Sequence, residues 1–345
     1  MKSIGTRIRF ACAATLVAAA FASGSANAQQ KNIKFVLDWA FQGQQSVFTI
    51  PADDGTYARY NLNVTVDRGA GSGDAVSKVA SGTYEMGLAD VYTMMNHNAA
   101  SPERKLIAVA LVHDKSARSV ASLKTGNITK PSDLNGKKVA APLGDASRQV
   151  FPLFATLNRI NQPSIEWITV TPQLRETMLI RGQTEAIVGH VTTIMMNLRG
   201  MSVPASNVNL MLYADYGVEL YGHALITTPA FAQANPQAVT DFIRATVHGL
   251  NVMIRDRDAA FASVKKRDAL LNEEVEKARI QMSLDAMFMS QNVVKNGISN
   301  VDRARLSRTL DQAADAFQIK AKQTIDEVYT ERYLPPRAEL RVITK

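Results

Sequence analysis

Gly82-Thr83-Tyr84-Glu85-Met86-Gly87-Leu88-Ala89-Asp90-Val91 and Gly182-Gln183-Thr184-Glu185-Ala186-Ile187-Val188-Gly189-His190-Val191 stand one hundred residues apart in this chain. Glycine, glutamate and valine coincide at the first, fourth and tenth positions. Each stretch stops a short helical pattern at its glycine and then runs into a short apolar strand that ends on a polar residue, Asp90 or His190. The shared helix–glycine–strand order at one fixed offset points to a duplicated unit. Strands alternating with helices point to an α/β architecture.

The pattern extends outward from both copies. In the first, Lys31 to Leu37 reads as a strand ending in Asp38-Trp39, and Val47 to Tyr60 reads as a helix. Asn61 breaks that helix, because asparagine tolerates the left-handed conformation at a helix end. Leu62 to Asp67 is a strand, Arg68 to Gly73 a glycine-rich turn, and Asp74 to Ala80 a short helix before the strand Tyr84 to Ala89. The second copy offers a strand at Lys138 to Ala141, a turn at Gly144 to Ser147 and a helix from Arg148 to Ile160. The strand Glu166 to Val170, the helix Arg175 to Ile180 and the strand Ala186 to Gly189 follow. Beyond them come strands at Val208 to Tyr213 and Leu220 to Thr227, then helical periodicity from Pro236 onward. One such stripe is Val239, Phe242, Ile243, Val247, Leu250 and Ile254. Arg303, Arg305 and Arg308 read as a solvated helix face offset by Asp302 and Asp311.

The 345 residues are 46% apolar and 20% charged, a composition that buries a large core and excludes disorder. The first 28 residues differ from the rest. Lys2, Arg7 and Arg9 form a basic head, Phe10 to Ala22 an apolar run, and Ala26-Asn27-Ala28 a small-x-small cleavage site. That is the three-part pattern of a secretory signal peptide, and it implies a periplasmic destination. Cleavage would remove Cys12, the one cysteine, and with it thiolate chemistry and cysteine metal sites. Loss of three cations takes the formal charge from +8 to +5, too small an excess for a nucleic-acid footprint.

Catalytic patterns are absent. Gly69-Ala70-Gly71-Ser72-Gly73-Asp74 follows a strand and opens a helix, but a carboxylate stands where a dinucleotide fingerprint has its third glycine. The five histidines, at 97, 113, 190, 223 and 248, have no metal-ligand spacing, and neither a nucleophile elbow nor a Walker loop occurs. No metal and no cofactor are expected. The positive signal is polar and aromatic residues at strand ends, where open α/β sheets bind ligands. The candidates are Asp38, Trp39 and Gln42 after the first strand, Ser72 and Gly73 after the second, and Asp90 and Tyr92 after the third. Asp145, Ser147 and Arg148, then His190, and Tyr216 on the return complete the set.

These residues resemble a known family. Asp38-Trp39, its spacing to Asp54-Gly55-Thr56-Tyr57, and Asn61-Leu62-Asn63-Val64 look like the opening of periplasmic solute-binding proteins of ABC importers, of the sulfonate, nitrate, taurine and thiamine-pyrimidine-precursor type. Gly71-Ser72-Gly73-Asp74-Ala75, Met86-Gly87-Leu88-Ala89-Asp90, and Lys130-Pro131-Ser132-Asp133-Leu134-Asn135-Gly136-Lys137-Lys138-Val139 resemble its later signatures, as do Ala234-Asn235-Pro236 and Tyr333-Leu334-Pro335. The resemblance implies a type II periplasmic-binding fold, in which two α/β lobes joined by two crossover strands enclose a ligand cleft. Lobe one would comprise residues 29–112 and 223–345, and lobe two residues 113–222. It also implies a monomer that hands a small organic solute to a membrane permease. Two alternatives stay open, a periplasmic sensor and an enzyme related to pyrimidine-precursor synthases.

The ligand is left open between a pyrimidine-like and a sulfonate- or carboxylate-like solute. Pyrimidine-precursor binders carry D-W-x-P-N-x-x-H in the first motif, and here Phe41, Gln42 and Gln45 replace the Pro, Asn and His. The expected roles are stacking by Trp39, hydrogen bonds from Gln42 and Asp90, donation by Ser72 and Gly73 from a helix start, and a clamp by Ser147 and Arg148 from the opposite lobe. Arg148 would suit a bidentate carboxylate or sulfonate.

Overall fold

The computed structural model describes residues 30–344, so the export signal read at residues 1–28 lies outside the described residues. Among them, the strands in chain order are β1 (Lys31–Val36), β2 (Leu62–Asp67), β3 (Met86–Asp90), β4 (Ile107–Leu111), β5 (Arg118–Leu123), β6 (Lys138–Ala141), β7 (Glu166–Thr169), β8 (Ala186–His190), β9 (Val208–Leu212) and β10 (His223–Thr227). They form two five-stranded sheets, ordered β2-β1-β3-β10-β4 and β7-β6-β8-β5-β9. Each sheet has a parallel trio and one antiparallel strand that arrives from the other sheet, β10 in the first and β5 in the second.

The repeated residues do the same work in both sheets. Gly82 (φ +76°) and Gly182 (φ +65°) turn the chain out of helices Ser72–Ala80 and Arg175–Ile180 in a conformation that a β-carbon disfavours. Glu85 then accepts the Lys34 backbone N–H at 2.7 Å, and Glu185 accepts that of Lys138 at 2.7 Å. Each glutamate thereby ties its strand to the neighbouring parallel one. Every residue of β3 and β8 is buried, as expected for central strands covered on both faces.

Local chemistry moves several boundaries. The helix expected over Val47 to Tyr60 is two helices, Ser46–Asp53 and Thr56–Arg59, because Gly55 adopts φ +76° and Asp54 accepts from the Thr56 N–H and Oγ1. Asn61 takes the left-handed conformation, φ +58°. The last strand begins at His223 rather than Leu220, and the residues from 317 onward hold only short elements instead of continued helix. The stripe on helix Pro236–Arg255 is buried as its period requires. Phe242 from that stripe packs 4.8 Å from Phe35 of β1, which itself lies 4.9 Å from Phe48. A buried aromatic of this kind costs about 3–5 kcal/mol to truncate to alanine.

Two segments, residues 112–117 and 217–222, carry the chain between the sheets and pair with each other. Val112 N–H donates to the His223 carbonyl (2.8 Å), Gly222 N–H to that of His113 (3.2 Å) and Ser116 N–H to that of Leu220 (3.2 Å). Helix Arg303–Ala316 lies across this junction, packing on helices Val91–Ala100 and Ala146–Leu157. Arg305 is therefore no part of a solvated face. Its guanidinium lies 4.0 Å from the Tyr221 ring centroid and donates to the Asp114 carbonyl at 2.6 Å, whereas Arg303 and Arg308 are exposed.

Candidate functional site

The strand ends of the two sheets face one another across a small, narrow cavity. Asp38, Trp39, Gln44, Gln45, Phe48, Leu88 and Met287 form one wall. Asp145, Arg175, His190 and Thr193 form the other, with His113, Arg118 and His223 at the junction. Trp39 and Asp38 are each 8% exposed, so the walls have closed on a small space. Across it, the Arg175 guanidinium lies 5.3 Å from the Trp39 ring centroid, a cation–π geometry. Arg175 fits there because residue 189 is glycine, since a β-carbon at that position would collide with the guanidinium.

Closure is held by contacts between the two sides. Gly73 N–H donates to the Gly144 carbonyl at 3.2 Å, and Thr193 Oγ1 donates to Gln42 Oε1 at 3.0 Å. Helix Glu273–Ser283 adds Arg279, which is buried and paired with Glu276 at 2.9 Å. It donates to the carbonyls of Thr192 (2.9 Å) and Thr193 (3.3 Å) and to Asn197 Oδ1 (2.9 Å) on helix Val191–Gly200. Gly71, at φ +131°, lies so close to the Gly144 carbonyl that a β-carbon would collide with it.

A charged network lies behind the cavity. Asp90 pairs with Arg118 and accepts from Ser72 Oγ at 3.2 Å, and Arg118 Nε donates to the Tyr92 hydroxyl at 3.1 Å. His223 Nε2 is 2.9 Å from Asp38 Oδ2. Burial alone would raise the Asp38 pKa, but His223, Arg118 and His113 outweigh it and hold the carboxyl below its ordinary value. Burial opposes charge on His223 as well, yet Asp38 and Asp90 raise it above its usual value. His113 and His190 have no such partner, and burial together with nearby cations pushes both well below the usual imidazole range. Burial and then Asp90 push the Tyr92 phenol well up, so it stays neutral. On the other side, Arg175 pairs with Glu176 at 2.6 Å and with Asp145 at 3.3 Å.

The residues singled out from sequence divide into three groups. Asp38, Trp39, Asp145 and His190 line the cavity. Asp90, Tyr92, Ser72, Gly73, Gln42 and Ser147 surround it, bonded inside the protein except for Asp90 Oδ1 and the Ser147 hydroxyl, which are buried without a partner among the described residues. Ser72 is bonded to Asp90, Gly73 and Gln42 reach across to the opposite side, and Ser147 donates its N–H to Asp145 Oδ1 at 2.7 Å. The expected donation by Ser72 and Gly73 to a ligand is thus replaced by bonds that organise and close the site. Arg148 and Tyr216 lie elsewhere. Arg148 donates to the Ala141 carbonyl (3.1 Å) and Thr169 Oγ1 (2.9 Å) and stacks 4.9 Å from the Trp167 centroid, so it clamps nothing in the cavity. Tyr216 packs edge-on to Phe154 at 5.8 Å.

Sequence reasoning missed Arg118, Arg175, His113, His223, Gln44, Gln45 and Thr193. One signal was available, since the expected lobe boundaries at 112/113 and 222/223 fall on His113 and His223. Among the described residues, no group of three His, Cys, Asp or Glu side chains is arranged to hold a metal ion, and no helix is long and apolar enough to cross a membrane.

Two five-stranded α/β sheets, exchanging one strand each and closing on a cavity at their strand ends, define the type II periplasmic-binding fold. Solved structures share it. The alkanesulfonate-binding protein of Xanthomonas axonopodis pv. citri, bound to MOPS, superposes with a TM-score of 0.65 at 15% identity, covering 91% of this chain and 97% of that one. The periplasmic nitrate-binding protein of Synechocystis PCC 6803 gives 0.65 at 11% identity, over 88% and 87%. The chain belongs to the NMT1/THI5-like family, whose profile matches residues 46–260. A formylaminopyrimidine-binding protein of Halalkalibacterium halodurans is 21% identical over 262 residues, 74% of this chain and 78% of that protein.

Proposed function

We propose that this protein captures a small, flat, amine-bearing solute between its two lobes and presents it to the membrane permease of an ABC importer. The observation that carries the ligand class is the pair of buried acceptors on cavity-lining residues, Asp38 Oδ1 and Gln45 Oε1, neither with a hydrogen-bond partner among the described residues. An unpaired buried acceptor costs about 1–3 kcal/mol, so a solute carrying N–H donors gains what the free protein forgoes. The charge balance supports the same choice. Asp38, Asp90, Asp145 and Glu176 face Arg118, Arg175 and His223, and both arginines are already paired with carboxylates. Among the described residues, no cavity-lining arginine lacks a carboxylate partner, which disfavours a sulfonate or nitrate. The Trp39 face supplies a stacking surface, and the aminopyrimidine named for the Halalkalibacterium halodurans relative is a solute of this kind.

The lobes are residues 29–112 with 223–345, and 113–222. The protein is exported by cleavage after Ala28, works in the periplasm as a monomer, and binds its solute without transforming it. Because the solute touches both lobes only when they are shut, its differential affinity drives closure. A thermal-shift screen tests the reading. Aminopyrimidines raise the melting temperature while alkanesulfonates and nitrate leave it unchanged, and Asp38→Asn abolishes the shift. A shift with sulfonates alone would refute the ligand class.

A further inference from the structure

His113 stands near the start of the first crossover, and His223 opens β10. Their rings meet edge-on, with centroids 4.7 Å apart and Nδ1 to Nδ1 at 2.7 Å. Two nitrogens at that separation require one proton between them. His223 Nε2 faces Asp38 Oδ2 at 2.9 Å, Asp90 Oδ2 at 3.6 Å and Arg118 Nη2 at 2.9 Å. His113 Nε2 is buried on the cavity wall and has no partner among the described residues.

The contact restricts the tautomers. When His223 is an imidazolium, it donates from Nε2 to Asp38 and from Nδ1 to His113, so neutral His113 carries its own proton on Nε2. A neutral His223 with its proton on Nδ1 leaves His113 the same. When His223 is neutral with its proton on Nε2, His113 must fill the gap from its own Nδ1, and its Nε2 is bare.

We propose that the His113–His223 pair is a proton relay that sets the hydrogen-bonding sense of the cavity wall, offering the solute an N–H from His113 Nε2 when the pair is charged and a bare nitrogen when it is neutral with Asp38 holding the remaining His223 proton on Nε2. The inference rests on the cavity being the solute site. In the switch, the Nδ1–H bond of His223 breaks and the Nδ1–H bond of His113 forms. The Nε2 proton of His113 leaves to water or to a basic solute atom, so the pair loses one proton and one unit of charge.

The surroundings place the charge. Asp38 after β1 and Asp90 at the end of β3 face His223, opposed by Arg118 on β5, which Asp90 already pairs and which Tyr92 contacts from the helix beyond. His190 at the end of β8 stacks 6.0 Å away, and Phe288 closes over His113 at 4.6 Å. Asp38 also acts on His113, but burial and the neighbouring His223 and Arg118 outweigh it. Burial holds His113 neutral and the two carboxylates favour the proton on His223, which agrees with the opposite directions of their pKa displacements. A solute with a ring-nitrogen acceptor is then held by the charged pair and released as that charge is lost.

The test reads the histidine rings of the solute-free protein by long-range proton–nitrogen NMR. Expected are His223 with both nitrogens protonated and His113 as the Nε2–H tautomer near neutral pH, with His113 converting to Nδ1–H as His223 titrates. Asp38→Asn moves that conversion to lower pH. Should this variant fail to fold, the wild-type titration alone decides. His113 fixed in the Nδ1–H form, or unchanged while His223 titrates, overturns the relay. Calorimetry with 4-aminopyrimidine adds the solute arm, where affinity falls by about tenfold per pH unit above the same midpoint. Binding that ignores pH also overturns the relay. Absence of 4-aminopyrimidine binding counts against the proposed function, and the NMR result then judges the relay alone.

Discussion

Asp90 and His190, one hundred residues apart, occupy the same place in their two sheets, and each is the register partner of the first residue of the strand arriving from the other sheet. Asp90 on β3 stands opposite His223 on β10, and His190 on β8 stands opposite Arg118 on β5. The matching arrangement of the two sheets thus brings four ionisable side chains to one junction, where the crossovers meet. The site chemistry and the lobe connection share the same residues, so a solute that alters one acts on the other.

Arg118 and Asp90 form a buried ion pair, so removing one partner strands the other. Arg118→Met is expected to cost about 3–5 kcal/mol in chemical denaturation. The double variant with Asp90→Asn is expected to recover part of that loss, and full additivity of the two substitutions would contradict the pairing.

Gly71→Ala is expected to hold the lobes apart. The substitution puts a β-carbon on a left-handed residue and drives it against the Gly144 carbonyl of the facing loop. Small-angle scattering with saturating solute should give a larger radius of gyration for the variant than for the wild type. Equal radii would show that this contact does not limit closure.

Arg175 and Arg148 are expected to separate cleanly. Arg175→Met removes the cation over Trp39 and frees two buried carboxylates, lowering solute affinity by about tenfold or more, roughly 1.4 kcal/mol. Arg148→Ala, whose guanidinium is bonded to Ala141 and Thr169, should leave calorimetric affinity unchanged. Arg279→Met should weaken binding without touching the cavity, through the lost bonds to Thr192 and Thr193.

The three buried histidines shape the pH dependence of stability. The raised His223 stabilises fully below its unfolded value and loses that contribution as pH rises through its folded value. The depressed His113 and His190 act oppositely, and the stability they allow is lost as pH falls below the unfolded value. Thermal stability should therefore fall on the acid side, as unfolded His113 and His190 take up protons, and on the alkaline side, as folded His223 loses its own. A melting temperature that rises monotonically across the histidine range would contradict these assignments.

The two α/β lobes and their central strands followed from features that are local in sequence. The glycine stops at 82 and 182 and the buried runs into Asp90 and His190 already mark the two central strands. Asp38, Trp39, Asp145 and His190 were legible because a strand end is a position along the chain. Arg118, Arg175 and the His113–His223 contact were not, since each depends on which strands cross between sheets and on closure, both properties of the folded pair of lobes. Arg148 misled for the same reason. A cation at a helix start looks free until Trp167 and Thr169 fold against it from β7.

The most direct test of the central claim is calorimetric titration of the mature chain with 4-aminopyrimidine and, separately, ethanesulfonate. The account predicts saturable binding of the amine-bearing ring, lost in Asp38→Asn, and no heat from the sulfonate. Saturable sulfonate binding with no response to the aminopyrimidine would contradict it.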